Sequence, residues 1–499
     1  MSVLTDGLNP QQLAAVKHSG SPLLVVAGAG SGKTRVLTRR VAYLLAERNV
    51  APYEVLAITF TNKAAGEMKE RVTHLVGDRA KMMWVSTFHS ACVRILRREA
   101  ALLGYTNSFT IYDQSDSLRL VTLVMRDLNL DAKRYAPRAV AALISQAKNE
   151  LLGPADYLNQ SKDHFQEIVA QVFAIYQKRL SAANSMDFDD LIAKSVEVMQ
   201  RFPECRAKYR SRFKHILVDE YQDTNHAQYV LIKELVGSEQ EGFPPAELCV
   251  VGDADQSIYA FRGANIRNIL QFEADYLNAK TILLEQNYRS TQNILNAANS
   301  VIANNEGRKE KNLWSEAGAG ELITGYVAES EHDEADFVVQ QIRKLQESGK
   351  SNPGDTAIFY RTNAQSRVFE EVFMRVAIPY KVVGGVRFYE RKEIKDFLAY
   401  LRVIVNPNDE VSMRRIINTP KRGIGDRALD QLDLYAQANN ISFWQGLCEV
   451  EKNQEIAPRS AGSLVEFVKL IQSLQTLVEA KTRPSVIAQA TLEQSGLLA

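Results

Sequence analysis

The chain has little cysteine, no long apolar segment and almost no excess of charge of either sign. Its four cysteines, Cys92, Cys205, Cys249 and Cys448, form no CxxC pair, which argues against a zinc site or a disulfide framework. No apolar run reaches the roughly 18 to 20 residues that a membrane span needs, and the first residues lack the basic and apolar regions of a secretory signal. We therefore expect reduced thiols, no membrane partner and a cytoplasmic protein.

The overall charge gives no indication of a nucleic-acid partner. The 60 Lys and Arg residues face 59 Asp and Glu residues, for a net charge of +1. Any surface that binds nucleic acid must therefore be a local patch. At 499 residues the chain is also too long for one ordinary hydrophobic core, so we expect several domains.

Short apolar runs separated by helix-like stretches indicate an α/β fold. We predict buried strands of parallel sheet at 23–27, 55–59, 216–219, 248–252, 281–285 and 357–360. Such alternation is typical of doubly wound layers, which bind ligands at the carboxyl ends of their strands. The strand pattern fades between about 110 and 205 and after about 390, where the sequence predicts helical segments.

A phosphate-binding loop follows the first apolar run. LLVVA leads into AGAGSGKT at 27–34 and then into the helical VLTRRVAYLLAE, the strand, loop and helix that a P-loop requires. The glycines let backbone N–H groups close around phosphate oxygens, Lys33 reaches the outer phosphates, and the Thr34 hydroxyl can hold Mg²⁺. Ala27 stands where the strict pattern has glycine, a departure of one methyl group. The segment predicts nucleotide binding.

A pair of acidic residues follows another apolar run. ILVDEYQD places Asp219 at a strand end and Glu220 directly after it. An Asp that fixes a metal ion and a Glu that takes a proton from water are used to hydrolyse a bound nucleotide. The alternative is a solvated acidic loop.

Eight segments, in this order, resemble motifs of the UvrD/PcrA/Rep branch of helicase superfamily 1. They are LNPQQ at 8–12, AITFTNKAAGEM at 57–68, STFHS at 86–90, FDDL at 188–191, DEYQD at 219–223, VGDADQSIYAFRGA at 251–264, LEQNYRST at 284–291 and YRTNAQSR at 360–367. The resemblance covers the chain from end to end. It implies RecA-like P-loop motor domains with helical insertion domains.

The resemblance also implies how the chain divides into domains. An ATP-binding domain, 1A, would comprise 1–110 and 205–290, interrupted by a helical insertion, 1B, at 111–204. The first part of a second RecA-like domain, 2A, would follow at 291–388, and part of a helical domain, 2B, at 389–499.

Matching positions carry the implied roles in ATP hydrolysis, with ATP and Mg²⁺ as cofactors. Gln12 would read the adenine, Tyr288 would stack on it and Arg39 would lie close by. Gln256 would act as a sensor that links the γ-phosphate to the DNA side, and Arg289 would be an arginine finger. The implied catalytic residues are Lys33, Asp219, Glu220, Gln256 and Arg289, and the metal ligands are Thr34 and Asp219. The implied ATP-binding residues are Gln12, Gly28, Ala29, Gly30, Ser31, Gly32, Lys33, Thr34, Arg35, Arg39, Tyr288 and Arg289.

The resemblance further implies a path for single-stranded DNA, which proteins hold by stacking on aromatic faces and by phosphate contacts. It would be lined by Phe60, Thr61, Asn62, His89, Tyr259, Phe261, Arg262, Arg361 and Asn363. The family often has Trp at position 261, and the smaller Phe predicts a weaker grip on each base. Without the resemblance, an aromatic pair at this spacing more often belongs to a sheet core.

A basic glycine-containing turn lies farther along the chain. INTPKRGIGDRAL at 417–429 places Lys421 and Arg422 before Gly423, and backbone N–H groups ahead of a helix can bind a phosphate. It resembles a GIG element that touches duplex DNA in the family. A simple turn between two helices is the alternative.

Taken together, the motifs predict an ATP-dependent 3′ to 5′ DNA helicase or translocase that acts on single strands and on junctions with duplex DNA in DNA repair. Repair proteins and RNA polymerase are candidate partners. HSAKG-like and GxTRA-like motifs of the family do not occur in the sequence, so we expect a truncated, N-terminal fragment that binds ATP and unwinds little. The alternatives are a non-motor module that binds DNA or a polymerase, and a helicase–nuclease subunit, for which no nuclease segment is evident.

Overall fold

The computed structural model describes residues 4–238, 244–306, 308–383 and 391–498. These fall into two compact units, Met1–Gly320 with Ala399–Ala499, and Glu321–Leu398, and each is described by itself. The predicted boundary at 388/389 lies outside the described residues. The division into four domains stays a prediction.

A six-stranded parallel sheet forms the centre of the first unit, which confirms the predicted α/β fold class. The strands are β1 (Leu23–Ala27), β2 (Val55–Thr59), β3 (Trp84–Thr87), β4 (Thr110–Tyr112), β5 (Ser185–Asp187), β6 (His215–Val218), β7 (Glu247–Gly252) and β8 (Lys280–Leu284). In the central sheet they lie in the order β3-β2-β6-β7-β1-β8, and β4 pairs with β5 in a separate sheet. All of these pairings are parallel.

The central sheet is covered on both faces, which explains its continuous apolar runs. Leu24 and Val26 join one buried cluster, and Leu23 and Val25 join another, because successive side chains of a strand point to opposite faces. The nearest helices are α1 (Pro10–Lys17), α2 (Lys33–Ala46), α3 (Asn62–Val76), α4 (Phe88–Glu99), α9 (Phe188–Arg201), α10 (Pro203–Arg212) and α11 (His226–Val236).

The remaining helices of the first unit form three groups along the chain. The predicted insertion holds α5 (Gln114–Asp127), α6 (Pro137–Asn149), α7 (Pro154–Asn159) and α8 (His164–Ala182), which enclose a third cluster. Short helices α12 (Arg267–Leu270) and α13 (Phe272–Asp275) precede β8, and α14 (Gln292–Ile302) follows it. Toward the carboxyl end lie α18 (Glu410–Ile416), α19 (Asp426–Ala438), α20 (Phe443–Cys448), α21 (Pro458–Glu479) and α22 (Pro484–Ser495).

The second unit differs from the sequence prediction. It contains α15 (Glu331–Glu347) and α16 (Ser366–Arg375), and α17 (Lys392–Val405) begins in it. The predicted strand at 357–360 is wrong: the segment has no strand conformation, and the Phe359 side chain is 93% exposed. A strand needs a hydrogen-bonded neighbour, and no described residue of this unit pairs with the segment.

Across the described ranges, no helix combines the length and apolar character that crossing a membrane requires.

Candidate nucleotide and DNA site

The phosphate-binding loop joins β1 to α2 and takes the conformation that its glycines allow. Gly30 and Gly32 have φ angles of +69° and +89°, in the left-handed region that residues with a Cβ adopt at a cost. A Cβ on Gly30 would lie 2.6 Å from the side-chain nitrogen of Asn287. The loop therefore requires glycine here for close packing as well as for backbone conformation.

The central contact of the site joins the loop to the acidic pair. The Lys33 ammonium lies 3.0 Å from the Glu220 carboxylate and 3.4 Å from the Gln256 side-chain oxygen. These residues follow β1, β6 and β7, which are neighbours in the sheet. Parallel strands bring their carboxyl ends to one edge, so segments far apart in sequence meet around Lys33.

Glu220 is held in an unusual backbone conformation. Its φ angle is +50°, which costs about 1–3 kcal/mol for a non-glycine residue and is concentrated at functional sites. The neighbouring carboxylate of Asp219 is 8% exposed and accepts a hydrogen bond from the Glu220 backbone N–H at 3.0 Å. Burial and the charge of Glu220 raise the pKa of Asp219 to about 6, against the opposing effect of Lys33.

An ion-pair network extends from Gln256 to the segment after α14. The Gln256 amide donates to Asp253 Oδ2 at 2.5 Å, and Lys311 donates to the other carboxylate oxygen at 2.5 Å. Lys311 also pairs with Asp255, which accepts two hydrogen bonds from Arg308. Gln256 is thus fixed on one side by buried charges while it faces Lys33 on the other.

The segment at 287–289 packs directly on the phosphate loop. Asn287 donates to the Ala29 carbonyl at 2.5 Å, and the Tyr288 backbone N–H donates to the Gly30 carbonyl at 2.9 Å. The predicted finger, Arg289, therefore starts from a backbone in contact with the loop.

The predicted adenine-reading residues lie on the adjacent side of the loop. Gln12 is fully buried and donates to the Ser31 carbonyl at 2.9 Å. Asn9 caps α1, and its side-chain amide donates a hydrogen bond to the Tyr288 hydroxyl at 3.0 Å. The Tyr288 side chain is about half exposed. Arg35 and Arg39 lie on α2, Arg35 exposed and Arg39 half-buried.

Three aromatic rings of the predicted DNA path form one cluster. The ring centroids of Phe60 and Tyr259 are 4.9 Å apart, and those of Tyr259 and Phe261 are 6.0 Å apart. The Phe261 side chain is 78% exposed. The alternative of a sheet core does not hold for this pair. The side chain of Arg262 lies outside the described part of the chain.

The other predicted DNA residues of the first unit lie near strand ends. Thr61 caps the start of α3 through its hydroxyl, so Asn62 begins that helix. His89 is at the start of α4, where burial lowers its pKa, and its ring contacts Phe188 edge-on at 5.5 Å. Arg361 and Asn363 are exposed residues of the second unit, and their part in the path stays a prediction.

The two basic residues of the turn at 417–429, Lys421 and Arg422, have different surroundings. Arg422 donates to the Ile416 carbonyl at 3.0 Å, to the Ser495 carbonyl at 3.0 Å and to the Tyr400 hydroxyl at 2.6 Å. Lys421 and Gly423 are exposed, and α19 begins shortly after them. The Arg422 side chain therefore holds the turn against the helical cluster, and a phosphate contact remains a prediction for all three residues.

Two family models match the chain. The model of the UvrD/REP helicase N-terminal domain matches residues 8–277, and that of the UvrD-like helicase C-terminal domain matches residues 282–456. The chain belongs to the UvrD/REP helicase family. The predicted resemblance to this family is confirmed.

Similar curated proteins carry helicase names. The chain is 58% identical to ATP-dependent DNA helicase UvrD1 of Mycobacterium tuberculosis over 500 residues, which cover 99% of this chain and 65% of that protein. It is 55% identical to UvrD1 of Mycobacterium leprae over 99% of this chain and 65% of that protein. It is 51% identical to ATP-dependent DNA helicase PcrA of Staphylococcus epidermidis, over 99% of this chain and 67% of that protein.

The matches also bear on the expected truncation. The chain spans 65% of the length of the UvrD1 relatives. Nevertheless, both the N-terminal and the C-terminal domain models of the family match the chain. The expectation of a truncated chain is therefore not borne out by the family models.

The residues around Lys33 have the chemistry of a magnesium–nucleotide site. Mg²⁺ is usually bound through one or two carboxylates, with phosphates and water completing its shell. Asp219 offers a desolvated carboxylate, and one carboxylate oxygen of Asp223 is buried with no hydrogen-bond partner. Burial and Glu220 also raise the pKa of Asp223 to about 6. No cluster of three or more His, Cys, Asp or Glu side chains that could hold a metal ion occurs in the described residues.

Three residues that support the site were not singled out from the sequence. Asn287 lies inside the LEQNYRST segment, so its motif gave a signal. Asn9 precedes a proline at a helix start, which is typical of an N-cap. Lys311 lies outside every motif and regular element, and no pattern would have identified it.

Proposed function

We propose that this chain acts as an ATP-dependent DNA helicase that moves 3′ to 5′ along single-stranded DNA and unwinds junctions with duplex DNA in DNA repair. The observation that carries the proposal is the meeting of Lys33, Glu220 and Gln256 at one sheet edge. The helicase names of the relatives support it. Polarity and the repair role rest on the family resemblance. Repair proteins and RNA polymerase remain candidate partners, and the cytoplasm the expected location.

The site suggests how ATP would change its contacts. Glu220 accepts hydrogen bonds from Lys33 and from Gln222 at 3.0 and 2.9 Å. We infer that Lys33 exchanges Glu220 for the outer phosphates when ATP binds, because both are anionic partners for one ammonium. The freed carboxylate would then accept a proton from the attacking water. Thr34 and Asp219 would hold Mg²⁺, which when bound offsets the negative charge of the phosphates.

The same contacts supply a route from nucleotide to DNA. Gln256 touches Lys33 and lies three residues before Tyr259, which belongs to the exposed aromatic cluster. A change in the partner of Lys33 would therefore shift the segment that carries Tyr259 and Phe261. Arg289, which starts from a backbone packed on the loop, would stabilise the charge that develops on the transferred phosphoryl group.

The experiment is DNA-stimulated ATP hydrolysis by the wild-type chain and by Glu220→Gln. The amide cannot accept the proton, so we expect turnover to fall by roughly 10²-fold or more with nucleotide binding retained. Glu67→Gln, on the exposed face of α3, is the matched control and should hydrolyse normally.

Two results would contradict the proposal. Turnover that is unchanged in Glu220→Gln would remove Glu220 from the reaction. A wild-type chain that binds DNA without hydrolysing ATP would favour the non-motor binding module instead.

A further inference from the structure

A cavity of about 350 Å³ lies at the edge of the central sheet opposite the nucleotide site. It is lined by Tyr53, Arg98, Lys208, Tyr209 and Arg212. Tyr53 precedes β2 and Arg212 precedes β6, so the cavity adjoins the amino ends of these strands, whereas Glu220 follows the carboxyl end of β6. It is therefore separate from the nucleotide-binding loop.

Three guanidinium groups converge beside this cavity on one buried indole ring. Their central carbons, from Arg94, Arg98 and Arg212, lie 4.0, 5.8 and 4.9 Å from the ring centroid of Trp84. Arg94 and Arg98 are one turn apart on α4, where like charges repel. Burial and the positive charges of Arg98 and Arg212 lower the pKa of Arg94. The attraction of the ring offsets part of this repulsion.

The nearby carboxylates do not neutralise these arginines. Glu99 is paired with Lys208 at 2.6 Å and accepts a hydrogen bond from the Tyr209 hydroxyl. Glu54 is paired with Lys214 at 2.6 Å.

Arg94 and Arg98 are exposed to solvent, whereas Arg212 is half-buried. Within the described residues, no ion pair reaches Arg94, Arg98 or Arg212, and Nε of Arg212 is buried without a hydrogen-bond partner. Because a buried N–H is normally satisfied, Nε of Arg212 offers a donor to a hydrogen-bond acceptor that enters the pocket, and the exposed guanidinium groups of Arg94 and Arg98 favour an acceptor that carries negative charge.

We propose that this pocket binds a phosphate group of a nucleotide, taken either from a free mononucleotide or from one position of a DNA strand. The planar fork of arginine matches phosphate oxygens. Tyr53 is 53% exposed at the rim and offers a ring on which a base can stack. An acidic peptide would use the charges but not the tyrosine ring. The volume is within the range of small-ligand sites.

The test is calorimetric titration of the full chain with thymidine monophosphate and with a 5′-phosphorylated thymidine tetranucleotide. All titrations are made in chains that also carry Lys33→Ala, which weakens nucleotide binding at the phosphate loop without adding a second nucleotide that competes for the pocket, and ATP turnover is measured in chains that keep Lys33. The pocket variant is Arg98→Gln with Arg212→Gln. The matched control, Arg134→Gln with Arg138→Gln, removes two exposed arginines of the helical insertion. We expect the affinity of the pocket variant to fall by roughly tenfold or more, with the control unchanged and ATP turnover retained.

Each outcome decides the proposal. A loss for the mononucleotide supports a free nucleotide as ligand, and a loss for the tetranucleotide alone supports a DNA strand. No loss for either nucleotide ligand overturns the proposal, and so does a loss of affinity only for hexaglutamate, which is titrated in parallel as an acidic peptide. If the double variant does not fold, phosphorus NMR of the mononucleotide with the wild-type chain and with Arg212→Lys takes its place. The absence of line broadening with the wild type would overturn the proposal equally.

Discussion

Asn287 ties the segment that carries Arg289 to the phosphate loop, because its amide donates to the Ala29 carbonyl at 2.5 Å. Its side-chain oxygen accepts hydrogen bonds from the backbone N–H groups of Arg289 and Ser290, at 2.8 and 2.7 Å. One side chain therefore fixes both the loop and the backbone from which Arg289 extends.

We predict that Asn287→Ala lowers ATP turnover more than it lowers ATP affinity. Loss of these hydrogen bonds would misplace Arg289, at a cost of about 1–3 kcal/mol, or roughly 5- to 150-fold in rate. Steady-state ATPase assays and nucleotide titrations would measure the two effects. Asn304→Ala, which removes only bonds to the carbonyls of Ser300 and Val301, should leave both unchanged. Loss of affinity with unchanged turnover at saturating ATP would contradict the prediction and indicate a role in binding alone.

We predict that Phe261→Ala weakens binding of single-stranded DNA by about 1–3 kcal/mol with ATP affinity nearly intact. Its ring is the most exposed of the three-ring cluster, and it lies away from Lys33 in the contacts described. Fluorescence titration with an oligonucleotide would measure the change. Phe261→Trp offers a larger stacking face and should bind more tightly than wild type. Unchanged DNA affinity in both variants would remove Phe261 from the path.

We predict that substitutions at Arg422 and Lys421 have different effects. Arg422→Ala removes donors from buried carbonyls of the turn and of Ser495, so it should lower the thermal midpoint of unfolding, at a cost of about 1–3 kcal/mol. Lys421→Ala, at an exposed site, should weaken duplex DNA binding without changing stability. Thermal melts and duplex titrations of both variants would separate the roles. If Arg422→Ala kept the stability of the wild-type chain and bound duplex DNA more weakly, Arg422 would be a DNA-binding residue and the prediction would be wrong.

Asp189 predicts a dependence of stability on pH. Burial and the charge of Asp187 raise its pKa from 3.8 to about 7, so between those values the folded chain holds a proton that the unfolded chain has lost. The contribution of Asp189 to the free energy of unfolding therefore falls as the pH rises from 3.8 to about 7. In thermal melts, Asp189→Asn should raise the midpoint of unfolding at pH 8 by roughly 2 °C or more and should change that midpoint less at pH 5. The control is Asp78→Asn, at an 82% exposed side chain, and an equal gain at both pH values would contradict the prediction.

The nucleotide site could be predicted because each of its motifs marks the end of a strand. Once the strands before Lys33, Glu220 and Gln256 are taken as parallel neighbours, their geometry follows from the sheet. The aromatic cluster at Tyr259 and Phe261 was harder, because two aromatic residues at that spacing fit a core or a surface. Exposure of Phe261 decides between these, and exposure depends on the rest of the fold.

Other features depend on partners that a local pattern does not reveal. The apolar run at 357–360 has the composition of a strand, but hydrogen bonding to a neighbour decides whether a strand forms. β3 was missed because it is short and ends in Ser86 and Thr87. Lys311 is buried against Asp253 and Asp255, and a lysine in an irregular segment gives no sign of carboxylates more than fifty residues away.

The place of β1 in the sheet has a consequence for biosynthesis. Its neighbours are β7 and β8, with Leu24 beside Val250 on one side and Thr281 on the other. The strand that leads into the phosphate loop is translated more than two hundred residues before its hydrogen-bonding partners. Until then the apolar LLVVA has no native strand beside it, so a nascent chain has to shield its strand edges from aggregation while those partners are translated.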